Sequence, residues 1–465
     1  YATSFSRGGG KFTFEVSLEG TSIHDNSAAR MLKELGVLDK IQIVPIPEVL
    51  KMKGPGFEID VPQRDPEGLI TLLARQFPEE KDGIRGIVRE MVGLVDETIR
   101  LDEKKGKFTN FPAEYPKMWN ARNKTLAELL DSFIKNSALK NALAAQWDYY
   151  GLPPSQLSGF YYAVAFGEYL RNGSYYIKPR SQALSDALAA AIEDRGGKIL
   201  YGTEAERILV KDGAVTGVAI EGEKILPARA VVSNASAPAT LKKMLPAGAL
   251  PPEYVKKLDG CRPSISTFIV WLGLNKELRG RIKGYDHSVN SGLGPEEDYR
   301  LALSGGVEKV SVGVVLYDNI FAGYSLPGTS TLKIICISGY EPWRRFEADY
   351  RAGRKDAYTR EKERWTDILI GRVEKEVIPG LTSMIEVKEA STPLTNWRFT
   401  RNPEGAIYGY EQAMNNTYMN RLDNRTPVKG LYLASAWSKP GGGYTAVMSS
   451  GQTAFAMLME DWKVR

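Results

Sequence analysis

The sequence predicts an α/β fold of two lobes, with a helical segment inserted between parts of them. Three observations carry that reading. At 465 residues the chain is longer than one hydrophobic core usually supports. Near its C-terminus a short apolar strand, Leu431–Ala434, leads through Lys439-Pro440-Gly441-Gly442-Gly443 directly into a helical pattern. Strand-and-turn punctuation around residues 198–233 follows a helix-rich stretch over residues 66–150.

Taken in order, the apolar runs Ile41–Ile46 and Phe57–Val61 alternate with Pro and Gly and read as strands at the edge of a sheet. In the helical stretch, Ile84, Ile87, Val88, Met91, Leu94, Val95 and Ile99 form one stripe, and Thr125 with Glu128 makes a capping box ahead of Leu129, Leu130, Phe133 and Ile134. Trp147–Pro154 and Phe160–Phe166 are the most aromatic segments of the chain. Such clusters are more often core than binding site, because rings bury large areas wherever they pack. Ser181–Asp194 reads as a helix. Lys198–Tyr201, Ala205–Val210, Val215–Ile220 and Ala230–Ser233 then read as a meander turning at Asp212-Gly213 and Glu221-Gly222. Three apolar strands, Ile265–Leu274, Val310–Tyr317 and Leu332–Ser338, fit a sheet able to wall a cavity. The charged stretch Glu341–Leu381 reads as a solvated helix face. In the last helix Val447, Gly451, Ala454, Phe455 and Leu458 share one face.

Composition narrows the function. Apolar and charged fractions of 43% and 25% are ordinary for a soluble globular protein, and a net charge of +5 is small for this length, so nucleic acid is not implied. Cys261 and Cys336 lie apart in apolar, strand-like runs and read as buried thiols of a reducing compartment, not as a disulfide. With only His24 and His287 in the chain, a histidine-based metal site lacks material, and no Gly-x-Ser-x-Gly elbow is there to serve a hydrolytic triad. The longest apolar run, Ile265–Leu274, is too short to span a bilayer, and no signal peptide opens the chain. The expectation is a cytoplasmic protein, soluble or peripheral to the inner face of the membrane.

The glycine loop suits a ligand on physical grounds. Residues without side chains let a ligand approach the main chain, and the helix start at Tyr444 presents unpaired N–H groups carrying about half a positive charge. Gly-rich turns from strand to helix are also common as plain connections in α/β proteins, so the loop alone leaves both readings open.

The segment Gly430–Gly451 resembles the C-terminal flavin motif of the phytoene desaturase, carotenoid isomerase and retinol saturase group of FAD proteins. That resemblance implies FAD as cofactor, with the helix start aimed at the pyrimidine edge of the flavin, where negative charge near N1 is stabilised by the dipole and N–H donors. Gly196–Ile208 and Val231–Ser236 resemble the second FAD segment of the group, Ser391–Thr400 its Thr-Pro-x-Thr element, and Gly405–Tyr410 its Gly-x-x-Tyr-Gly element. One departure is Pro179-Arg180-Ser181, where the group commonly has Pro-x-Gly-Gly. Residues 1–20 resemble the segment that follows a Gly-x-Gly-x-x-Gly turn, and Gly8-Gly9-Gly10 lacks that spacing. Either the sequence is N-terminally shortened or this mode of FAD binding has been lost. Retention of Arg7, near the cofactor in the group, and of Glu15 and Ser17 in place of its Asp-x-Gly favours the first.

The resemblance assigns 1–20, 175–240 and 425–465 to a Rossmann-like FAD domain incomplete at its N-terminus. It assigns 21–65 and 241–424 to a mixed-sheet substrate domain, and 66–174 to a helical lid or insertion. It places Arg7, Ala205, Asn234, Pro440, Gly441, Gly442, Gly443, Tyr444 and Thr445 at the cofactor. The implied activity is oxidoreduction or isomerisation at double bonds of a long apolar polyene or isoprenoid, carotenoid- or retinoid-like, with reduction or isomerisation expected ahead of oxygen-driven desaturation. The aromatic segments would flank the substrate tunnel, and the lid would meet the membrane from which an insoluble polyene enters. Net reduction needs a proton donor, for which Glu19, His24, Tyr149 and Tyr150 are the candidates. A flavin amine oxidase of the same architecture, and a non-catalytic carrier of apolar ligands, are the alternative readings.

Overall fold

The computed structural model describes residues 2–47, 51–54, 57–104, 106–417 and 420–463, so Tyr1, where the N-terminal match begins, lies outside the described residues. Its largest sheet is antiparallel, in the order β12 (Asp286–Val289), β13 (Val312–Val315), β14 (Ser330–Ser338), β11 (Ser266–Leu274), β15 (Ile385–Ser391). The three expected apolar strands are its centre. Every residue of β11 is buried, because both faces of the sheet are covered, which explains a continuous apolar run where a half-exposed strand would alternate. Phe268, Val270, Leu272 and Leu274 share a core with Trp365, Leu369 and Val373 of the helix Asp356–Glu376. Ile269 and Trp271 face the other way, onto Phe12 and Phe14 of the hairpin β1 (Ser4–Arg7) and β2 (Phe12–Glu15).

The meander forms with one change of membership. It consists of β7 (Ala205–Lys211), β8 (Ala214–Ile220) and β9 (Lys224–Pro227), while β10 (Val231–Ser233) leaves it to pair in parallel with β16 (Leu431–Leu433). Lys198–Tyr201 is not a strand. A strand needs a ladder partner, none faces this segment among the described residues, and Leu200 and Tyr201 are exposed. The strands expected at a sheet edge instead form two small sheets of their own: β3 (Gln42–Pro45) pairs with β6 (Tyr175–Lys178), and β4 (Lys51–Gly54) with β5 (Phe57–Asp60).

The helical stripe is real: Ile84, Ile87, Val88, Met91, Leu94 and Val95 are all buried on the helix Lys81–Glu103. This helix packs on Gly159–Asn172 at Gly167, where an added Cβ would come within 2.8 Å of the Met91 carbonyl carbon. The capping box closes as expected, Thr125 Oγ accepting from Glu128 N at 3.2 Å and Glu128 Oε2 from Thr125 N at 2.8 Å. The C-terminal helix, Tyr444–Lys463, begins where its pattern begins, but its buried face is Ser450 and Ala454 with Met457 and Leu458 against Tyr432. Phe455 is 61% exposed, because its position is turned about 100° from Ala454 and off the face that packs against β16. Cys261 lies half-buried in a loop, not in a strand. Among the described residues no helix is long and apolar enough to cross a membrane.

Candidate active site at the glycine loop

The chain leaves β16, makes the glycine loop and enters the C-terminal helix. Gly441 (φ +133°) and Gly443 (φ +104°) hold backbone angles that side chains disfavour. A Cβ added to Gly442 would lie 3.0 Å from Cα, Cβ and Cδ1 of Tyr408, whereas one on exposed Gly443 would meet nothing within 4 Å. The first helical bond after the loop runs from Val447 N to Gly443 O at 2.9 Å, so the N–H groups of the turn before it have no intrahelical acceptor. The bare, open backbone at Gly443, beside polarised N–H groups, fits the edge of a flavin ring.

The loop is held from behind by residues that sequence patterns did not single out. Arg421 is 0% exposed. Its guanidinium donates to the carbonyls of Ser438 (3.0 Å), Asn416 (3.1 Å), Tyr410 (2.9 Å), Ala436 and Glu411, and to Oε1 of Gln412 (3.2 Å). Burial lowers its pKa to about 10, which still leaves it cationic at neutral pH. Asn424 Nδ2 ties Leu433 O (2.9 Å) to Ser450 Oγ (2.8 Å), fixing the helix against the strand.

Of the residues assigned to the cofactor, Pro440, Gly441, Gly442, Gly443, Tyr444 and Thr445 come together in the loop and first turn, with Tyr444 OH 3.0 Å from Ser17 Oγ. Asn234 Nδ2 donates to Ala434 O and joins β10 to β16. Ala205 is the exposed first residue of β7, paired with Ile220. Arg7 sits at the exposed end of β1, its side chain held by Glu389 at 2.9 Å. The buried acid of this N-terminal segment is Glu15, whose carboxylate accepts from Ser181 N (2.9 Å), Ser181 Oγ (2.7 Å) and Tyr176 OH (2.9 Å).

The aromatic segments reach the loop. Tyr161 OH donates to Gly442 O at 2.9 Å, and Tyr150 stacks edge-on against Tyr161 and Tyr162, with ring centroids 5.7 and 5.3 Å apart. Tyr150, Tyr161 and Tyr408 are half-buried and gather beside the loop. Burial pushes the Tyr161 hydroxyl up to about 12 and those of Tyr150 and Tyr408 well above their ordinary value, so all three remain neutral phenols.

Beyond Tyr408 lies a set of buried acids. Glu19 is paired with Lys333, itself 1% exposed, at 2.6 Å, and Tyr149 OH donates to Asp286 Oδ2 at 3.2 Å. Burial, then the Glu19 charge, pushes Asp286 up to about 8; burial, then Asp298 and Glu19, pushes Asp148 up to about 7. Burial is the larger cause of both shifts, and the neighbouring carboxylates add to it, because like charges side by side are costly in a dry site. Of the proton-donor candidates, Glu19 and Tyr149 are therefore brought together here and Tyr150 borders the loop. His24 lies elsewhere, half-exposed, stacked on Tyr175 at 4.6 Å and next to Asp25. Asp148 carried a faint sequence signal as a lone acid among aromatics, whereas Asp286 carried none.

Among known proteins, the flavin containing amine oxidoreductases match residues 2–458. The chain belongs to that family. It is an FAD-dependent enzyme of the oxidoreductase or isomerase type, with FAD as its cofactor. It is 25% identical to prolycopene isomerase 1 of an Oncidium hybrid cultivar, over 96% of this chain and 75% of that one. It is 26% identical to phytoene desaturase (neurosporene-forming) of Rhodobacter capsulatus over 73% of this chain and 64% of the relative, and 25% identical to all-trans-retinol 13,14-reductase of Danio rerio over 67% and 54%. In fold it resembles an oxidoreductase from Methanosarcina mazei (TM-score 0.59, 15% identity, 99% of this chain and 91% of that one). Putrescine oxidase is similar in fold at a TM-score of 0.60 with 11% identity, covering 99% and 90%.

Proposed function

We propose that the enzyme acts on the double bonds of a long apolar polyene or isoprenoid, carotenoid- or retinoid-like. The observation that carries this reading is the hydrogen bond from Tyr161 to the Gly442 carbonyl, which sets the most aromatic helix of the chain directly against the glycine loop. Rings can line an extended apolar ligand without needing polar partners from it. The names of the relatives support the same substrate class. In this reading Pro440–Thr445 hold the flavin edge, Asn234, Ala205 and Arg7 serve the rest of the cofactor, and the chain divides into the discontinuous FAD, substrate and lid segments that the resemblance implies. When bound, FAD supplies two-electron chemistry at carbon. The chain's own contribution is to orient the polyene between Tyr150, Tyr161 and Tyr408, to exclude water, and to hold a proton. Anaerobic incubation of the reduced, flavin-loaded protein with a polyene alcohol or a cis-carotene is expected to yield a saturated or isomerised product. Oxidised protein that introduces double bonds into phytoene, with neither of those products formed, would replace this direction with desaturation. Polyene absorbance without flavin bands would point to a carrier.

The substrate class also makes segment 66–174 the part that meets a membrane surface, at its cytoplasmic face. Phe108 (52% exposed) and Trp119 (39%) project from this segment beside Lys107 and Arg122, the pattern of an interfacial anchor. Replacing both aromatics by serine is expected to lower the fraction that floats with anionic liposomes by about threefold or more. Unchanged flotation would count against the lid.

A further inference from the structure

In the large sheet, β12 sets Asp286 opposite Val315 of β13, and β13 sets Val315 opposite Lys333 of β14. The three residues stand in one row, and strand spacing puts the Asp286 and Lys333 backbones about 10 Å apart. Lys333 is engaged by Glu19 at 2.6 Å, which leaves Asp286 with Tyr149 as its hydrogen-bond partner at 3.2 Å. Asp148, from the turn carrying Tyr149, adds a second acid. β13 faces Asp286 with valines and glycine only. Lys51 of β4 is turned to Asp60 and Glu58, and His287, next along β12, points to the opposite face, where it shares a surface depression with Glu376. Tyr408 packs on Gly442 and feels the charges of Glu19 and Asp148, so the acids and the glycine loop flank the same ring.

We infer that Asp286 is the proton donor of the reaction, delivering its carboxyl proton to a substrate carbon, and that Tyr149 positions it. The inference rests on the double-bond chemistry proposed above. Glu19 is held in an ion pair by Lys333, Tyr149 is too weak an acid once buried, His24 is elsewhere, and Asp148 Oδ1 is occupied by the Tyr149 backbone N–H at 2.9 Å, so the carboxyl left to give a proton is Asp286. In reduction the substrate π bond breaks. One carbon takes hydrogen with its electron pair, for which reduced flavin is the reductant, and the other takes the proton as the Asp286 O–H bond breaks. The carboxylate left behind regains a proton from water. Tyr149 O–H, donating to Oδ2, keeps the acidic proton on Oδ1 and aimed away from itself.

Burial and the facing acids hold Asp286 protonated up to about 8, so turnover of the flavin-loaded wild type is expected to fall as pH rises through that value. Asp286→Asn should retain flavin and lose about 10²–10⁴-fold in turnover, with partial rescue by Asp286→Glu. Tyr149→Phe should move the alkaline limb upward, because the Tyr149 hydrogen bond lowers the Asp286 pKa. There is also a readout without turnover. The carboxyl pKa is higher in the folded than in the unfolded protein, so the wild type loses stability as pH rises from about 4 to about 8; Asn does not titrate, and the Tm of Asp286→Asn relative to wild type should rise across that range. Turnover of Asp286→Asn within about threefold of wild type with the same alkaline limb, or a Tm difference that does not change with pH, would overturn the assignment alone. No product from the wild type with any polyene would instead sink the functional reading and this role with it.

Discussion

Replacing Arg421 by methionine is expected to destabilise the protein by at least about 4 kcal/mol and to abolish flavin retention. Methionine keeps the volume and flexibility of the stem but offers no donor. The carbonyls of Tyr410, Asn416, Ala436 and Ser438, which Arg421 now satisfies in a site closed to water, would be left unpaired. Each buried acceptor left without a partner costs about 1–3 kcal/mol, and relaxation would have to begin in the segment 410–438, which carries the glycine loop. Urea denaturation of the apoprotein and flavin stoichiometry of the purified holoprotein check the two parts. A midpoint within error of the wild type would show that the carbonyls find other donors and would refute the expectation.

Gly442→Leu is expected to leave a folded protein whose flavin affinity falls by about tenfold or more. A side chain here crowds the main chain that a flavin ring must approach. The structure assigns the first collision to Tyr408, three of whose atoms lie 3.0 Å from the added Cβ. Tyr408 is itself fixed, its backbone N donating to Ser264 Oγ at 2.9 Å, so the loop has to give way, and overpacking of this kind costs about 1–3 kcal/mol. Normal flavin stoichiometry after gel filtration of Gly442→Leu would be the contrary result, and Gly442→Ala should fall between the two.

Much of the fold and part of the site were legible in the residues themselves. The helix Lys81–Glu103 was readable from one apolar stripe, the helix after Thr125 from its capping box, and β11, β13 and β14 from unbroken apolar runs. These are local signals: side-chain period and cap chemistry act within a few residues of one another. The strand, three glycines and helix start were visible for the same reason, and the resemblance around them named the cofactor. Lys198–Tyr201 shows where this reasoning stops, because a strand is decided by its neighbour as much as by its own composition.

By itself, then, the sequence determined the type of most elements, the glycine loop and the class of cofactor, since each is written in contiguous residues. Only the tertiary structure decided that Arg421 would satisfy the back of that loop, that Tyr161 would reach Gly442, and that Glu19, paired with Lys333, would lie close enough to raise both Asp148 and Asp286. Asp286 is the clearest case. In the chain it is one aspartate in an ordinary short strand, and its chemistry comes from the register that seats it in a row with Val315 and Lys333 and from the turn that brings Tyr149 to it. Periodicity encodes which face a residue takes. It does not encode which distant strand lies alongside, and a carboxyl's proton affinity is set by the burial and charges that only that pairing brings together.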